Sequence, residues 1–160
     1  MIKMTDQEIY QMVGTWRNVP AYQQYEMFWH NLNFRASKTV ALFVRHIVTS
    51  GALVQHKDVY HNDDHCLSVM LLADRLHTEI TGSNKAHYAL ICASIAHDVK
   101  HSLGKLSDDQ NIENAIAVVD DYFAPSNSRS LRSFLNEVNR LISITRYPFL
   151  TENEPKTLAD

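Results

Sequence analysis

Histidine occurs nine times in this 160-residue chain, and four of the nine fall into a pattern with chemical meaning. His61 and His65 stand four apart, which on a helix stacks them on one face. That face continues through Val69, Leu72 and Leu76, so the spacing predicts a core-facing stripe with both histidines turned inward. His97-Asp98 follows directly on the apolar run Tyr88 to Ala96, and His101 comes four residues after His97. The run puts the Asp98 carboxylate at the edge of the core, where an ionised acid costs several kcal/mol unless it is paired or metal-bound. Lys100 and Lys105 lie off its helical face. A divalent metal ion satisfies Asp98 and the inward histidines together. A purely structural polar cluster is the other reading of the same residues.

The elements that must position these groups are helical. Thr5 to Glu8 has the form of a capping box and opens a first helix to about Asn18, before Pro20. A second covers about Ala21 to Leu32. A third, about Ala36 to Thr49, carries Val40, Ala41, Val44, Ile47 and Val48 at helical spacing and stops near Gly51. A fourth spans about Asn62 to Glu79 and a fifth about Asn84 to Lys100. The fifth is apolar nearly all round, the signature of a central, buried helix. Ser107 and Gln110 form another capping box, opening a sixth helix to about Phe123. Pro125 breaks it, and a seventh element runs from about Ser130 to Thr145, closed by Tyr147-Pro148. Nothing alternates with period two over a useful length, so the fold class is all-α. Trp16, Trp29, Tyr22, Tyr25 and Phe28 are spaced for packing between the first helices.

Composition narrows the function classes. Four glycines and four prolines are too few for a turn-dense β-sandwich or barrel. Hydrophobic residues at 45% suit one packed domain over residues 1–160, without repeats or linkers. The formal net charge of −3 provides no sequence-wide cationic surface for nucleic acid or anionic lipid. The N-terminal residues hold no apolar stretch fit for a signal peptide, and the nine-residue run Tyr88 to Ala96, broken only by Ser94, is less than half a membrane span. Cys66 and Cys92 sit in separate apolar stretches without CxxC spacing, as reduced core residues of a cytoplasmic protein do.

Tyr60-His61-Asn62-Asp63-Asp64-His65 followed by His97-Asp98-Val99-Lys100-His101 resembles the HD-domain metal-dependent phosphohydrolases. Within them it is similar to the catalytic domain of cyclic nucleotide phosphodiesterases, whose pattern is Y-H-N-x-x-H and then H-D-V-x-H. Asp108 with Ile112-Glu113-Asn114 is similar to that family's third segment, and Ala159-Asp160 to its late alanine-aspartate pair. The matches cover residues 60–160; the first 59 residues match only as a helical preamble.

The resemblance implies an HD-domain helical bundle with a metal site between central helices. It implies that His65, His97, Asp98 and Asp160 bind a divalent ion (Mn, Fe, Co, Zn or Mg), with Asp98 bridging to a second ion. It makes His61 the general acid that protonates the leaving oxygen, and His101 and Glu113 groups that orient water from behind the ligands or serve the second ion. Two histidines and two carboxylates leave open positions on an octahedral ion for water and a phosphate oxygen. Glu152 and Glu154 are the fallback carboxylates for Asp160. The implied activity is hydrolysis of a phosphate ester, that of a nucleotide or cyclic nucleotide, in the cytoplasm. The alternative is an impaired HD module that binds a nucleotide or protein partner without turnover.

Departures from the family pattern bear on the substrate. Ala115 and Ile116 replace histidines that often follow the E-N pair, and Ile144-Thr145-Arg146 stands where many members have threonine-aspartate. The family's purine-recognising segment, which follows the metal aspartate, has no counterpart in residues 1–160, so the resemblance reaches phosphohydrolase chemistry but not a base. Two other motifs are set aside. Leu72-Ala73-Asp74-Arg75-Leu76-His77 looks like the L-A-D-R-L-H of (p)ppGpp hydrolases, but here it precedes the His-Asp pair. Asp74 lies about 180° round the helix from His65 and is expected on a solvated surface. His97-Asp98-Val99-Lys100-His101 mimics the H-E-x-x-H of zinc peptidases with an acid one methylene too short.

Overall fold

Where the sequence supplies a cap, a helix starts. Ser107 accepts a hydrogen bond from the Gln110 backbone N–H, and the Gln110 side chain accepts one back from the Ser107 N–H. This reciprocal box opens a helix at Asp108, as its spacing predicts. Ser128 caps the following helix through Leu131 N–H. The computed structural model describes residues 38–53, 61–79, 84–126 and 128–146. These hold α1 (Lys38–Thr49), α2 (Asp63–Glu79), α3 (Asn84–Ala96), α4 (Asp108–Phe123) and α5 (Arg129–Ser143), with no strand among the described residues. The chain is all-α there. The two helices expected before residue 33, with their aromatic residues, lie outside the described residues.

The all-round apolar helix is central. α3 packs against α1, α2, α4 and α5, and buries Ala89 and every residue from Ile91 to Ala96. Phe43 and Ile47 of α1, Leu67 and Met70 of α2, Val119 of α4 and Ile142 of α5 complete one hydrophobic cluster around it. Each of the larger side chains contributes about 1.5–3 kcal/mol by leaving water. Cys66 and Cys92 are free thiols within this core, and burial pushes the Cys92 pKa far up, which removes its nucleophilic form.

α2 and α3 run antiparallel, because His65 meets His97 at one end and Asp74 meets His87 at the other. The buried arc of α2 runs through Cys66, Leu67, Met70, Leu71 and Asp74, whereas Val69 and Leu72 of the expected stripe are only half-buried. The sequence offers no single face here: apolar residues run from Cys66 to Ala73, broken only by Ser68. Asp74 is therefore not on a solvated surface. It is 5% exposed, and its Oδ1 lies 2.8 Å from His87 Nε2. His77 stacks on the His87 ring at 4.4 Å.

His87→Ala leaves the Asp74 carboxylate buried without its partner and costs about 2–3 kcal/mol in urea unfolding. Asp74→Ala combined with His87→Ala costs less than His87→Ala alone, because no orphaned charge remains. A neutral His87→Ala would mean that water already reaches Asp74. His77 adds a pH dependence. Burial first, then the charge of His87, lowers its pKa below the ordinary 6.5, against the opposing pull of Asp74. The unfolded chain thus takes up protons more readily, and this contribution to stability declines as pH falls through 6.5.

Candidate metal centre

The open end of the α2–α3 hairpin gathers the histidines. Asn62 is the N-cap of α2: its Oδ1 accepts the His65 backbone N–H at 2.8 Å. The cap fixes His65 in the first turn of α2. On the other strand of the hairpin, the helix expected to reach Lys100 stops at Ala96. The chain then turns: Val99 N–H donates to Ala96 O, His101 N–H to Asp98 O, and Lys100 N–H to Ala52 O after α1. Lys100 adopts φ 55°, which an α-helix does not admit. Val99, fully buried, anchors the turn.

This turn makes the site. Neighbouring residues of an α-helix project about 100° apart, but here His97 Nε2 and Asp98 Oδ2 approach to 3.2 Å. His65 Nε2 lies 3.2 Å from His97 Nε2 and 3.5 Å from Asp98 Oδ2. Three potential ligand atoms from two elements therefore form one small triangle. These three side chains would hold a divalent ion, with spacings compatible with ordinary ligand distances of about 2.1 Å. His97 Nδ1 donates to Ser94 O at 2.8 Å, which leaves Nε2 as the ligating nitrogen, as a backbone carbonyl behind a metal histidine does.

Electrostatics follow the burial gradient. The side chains of Asp98 and His97 are 11% and 12% exposed, His65 is 21%, and His61, at the mouth, is 32%. Burial alone would raise the pKa of Asp98, but hydrogen bonds and charge from His97 and His61 hold it well below the usual carboxylate range. Burial alone would lower that of His97; the Asp98 hydrogen bond and charge, with the Ser94 carbonyl, raise it instead. The ionised carboxylate thus stands ready, and His97 holds a proton more firmly than a free imidazole does.

His61 Nδ1 lies 2.9 Å from Asp98 Oδ2, outside the triangle but joined to it. His101 stacks on His61 with ring centroids 3.9 Å apart and planes at 15°. His61, Asp98 and His101 form a second group of potential ligands around the shared carboxylate. Imidazole lone pairs lie in the ring plane, so two stacked rings aim past any single ion between them. This group takes an ion only when the stack opens.

Four expected site residues, His61, His65, His97 and Asp98, are brought together, and His101 joins them through His61. Glu113 is exposed on α4, and no hydrogen bond or ion pair links it to the histidines. Asp160, Glu152 and Glu154 lie outside the described residues. Because residues 97–101 form a turn rather than a helix, the H-E-x-x-H likeness has no helical basis. Two supporting residues escaped the sequence reading. Asn62 has a legible signal, an Asx followed by two acids. Asn111, 5% exposed on α4, accepts Ser102 N–H at 2.9 Å and ties down the loop after Asp98; its signal is only a polar residue beside an apolar one.

No protein-family model matches the chain, and no match was found among curated proteins or among solved structures.

Proposed function

We propose that His65, His97 and Asp98 hold a divalent transition-metal ion and that the chain hydrolyses phosphate esters, with a nucleotide as the favoured substrate class. The observation that carries this reading is the convergence of three ligand atoms at 3.2–3.5 Å beside a fourth, protonatable imidazole. A divalent ion at such a site supplies Lewis acidity, polarising a phosphate oxygen and acidifying water. The chain's own residues do the rest. Asp98 keeps negative charge at the site, and the Ser94 carbonyl fixes the His97 tautomer. His61, oriented through Nδ1 by Asp98, carries the proton for the leaving oxygen on Nε2. A fourth ligand falls to Asp160 by the family resemblance.

The test is elemental analysis of the purified protein, then a hydrolysis screen of nucleoside monophosphates, cyclic nucleotides, dinucleotides and nitrophenyl phosphate esters with Mn, Fe, Co, Zn and Mg. Metal near stoichiometry with turnover of at least one ester supports the reading. Metal without turnover favours the binding-module alternative. Neither metal nor a thermal shift with any of these ions refutes the site.

A further inference from the structure

His101 is held on two sides. Its ring lies flat against His61, and its Nδ1 accepts the Leu103 backbone N–H at 3.2 Å. An accepting Nδ1 carries no hydrogen, so the ring is the neutral tautomer with its proton on Nε2. The loop that provides this donor is itself under constraint. Leu103 has φ 55°, a left-handed conformation that a non-glycine residue keeps only where its surroundings impose it. Gly104 continues at φ 83°, and Ser102 braces the turn by accepting Leu106 N–H at Oγ and donating its own N–H to Asn111. A strained, cross-braced loop thus ends in one aromatic face laid on His61.

His61 precedes the first residue of α2 and is about one-third exposed. An imidazole there has two soft side-chain torsions; the Asp98 hydrogen bond fixes one atom of the ring, and a stacked face bears on its plane. We propose that His101 is a positioning residue that holds the plane of His61 for proton donation, rather than a metal ligand or a group that orients water. This rests on the reading of His61 as the acid of a phosphohydrolase.

Two substitutions in the full chain separate the roles. His101→Asn keeps an oxygen that can accept Leu103 N–H but removes the stacking face. His101→Phe keeps the face and removes the acceptor. The positioning role predicts that His101→Asn slows hydrolysis of an alkyl phosphate ester roughly 10–100-fold, the scale of a misplaced catalytic group. A nitrophenyl ester of the same phosphate, whose leaving group needs no proton, is slowed far less, and His101→Phe loses less than His101→Asn on the alkyl ester. Metal stoichiometry is unchanged in both variants. The second readout needs no activity. In the metal-free protein, the ring signals of His61, assigned by their absence in His61→Ala, lose their ring-current shift in His101→Asn and keep it in His101→Phe. The opposite ranking of the two variants would make His101 a loop anchor. Loss of a metal equivalent would make it a ligand. Unchanged His61 signals in His101→Asn would overturn the stack. If the wild type cleaves no ester at all, the proposed activity falls, while the ring signals still decide whether His101 positions His61.

Discussion

His97→Ala abolishes stoichiometric uptake of a divalent metal ion and leaves the helices folded. The imidazole is one corner of the ligand triangle, 3.2 Å from both His65 Nε2 and Asp98 Oδ2, and alanine supplies no donor. Little of the core is lost, since His97 lies past the end of α3 and its other bond is to the Ser94 carbonyl. With metal at a hundredfold excess over Kd, the wild type gains about 2.7 kcal/mol against unfolding and the variant gains none. Thermal unfolding with and without the ion, paired with elemental analysis, measures both. The wild-type gain also shrinks on acidification. Asp98 raises the His97 pKa, so an ion must displace a proton that the folded protein holds more firmly than a free histidine would. Retained stoichiometric metal in His97→Ala would move the site elsewhere.

His61→Ala keeps the metal and slows hydrolysis of esters with poor leaving groups by about 10²–10⁴-fold, the contribution of a positioned general acid. His61 is hydrogen-bonded to Asp98, which stays in place when the ring is removed. Nitrophenyl esters, whose leaving group departs without a proton, lose far less. The comparison is a ratio of kcat/KM values on two substrates with one enzyme, so a general loss of folding cannot imitate it. Equal loss on both substrates, accompanied by loss of metal, would make His61 a ligand and transfer the acid role to another group.

Much of this arrangement was legible before any coordinates, for identifiable reasons. Caps are local, so Ser107 and Gln110 marked the start of α4 correctly. An apolar run on every face admits one placement, and α3 is central. Spacing and the cost of a buried carboxylate reached the inward turn of His61 and His65 and the need of Asp98 for a partner. The set His65, His97 and Asp98 was implied by the family resemblance. What stayed hidden depended on partners distant in sequence or on backbone geometry. The turn after Ala96 draws on a hydrogen bond from Lys100 to Ala52, which periodicity cannot register. Asp74 was misplaced because the angle from His65 says where a side chain points, not what packs over it. His87 covers it, thirteen residues on. The face-to-face approach of His101 to His61 likewise needs the Leu103 loop, whose positive φ nothing in the residue type announces.

The four side chains of the centre all come from residues 61–98, the two arms of one hairpin. An ion between His65 and His97 is then a cross-link as well as a Lewis acid. It would tie together two points of the chain 32 residues apart, at the end of the hairpin away from its connection. By the loop-closure arithmetic used for disulfides, a permanent tie of that span removes about 3–4 kcal/mol worth of freedom from the unfolded chain. A reversible one does so only while the ion is bound. Metal supply would therefore set how often the arms part, and the protection of α2 and α3 amides against hydrogen exchange would track the free-ion concentration. Asp74 and His87 clamp the same hairpin at the other end with no ion. Of the two fastenings, the first alone would depend on metal supply.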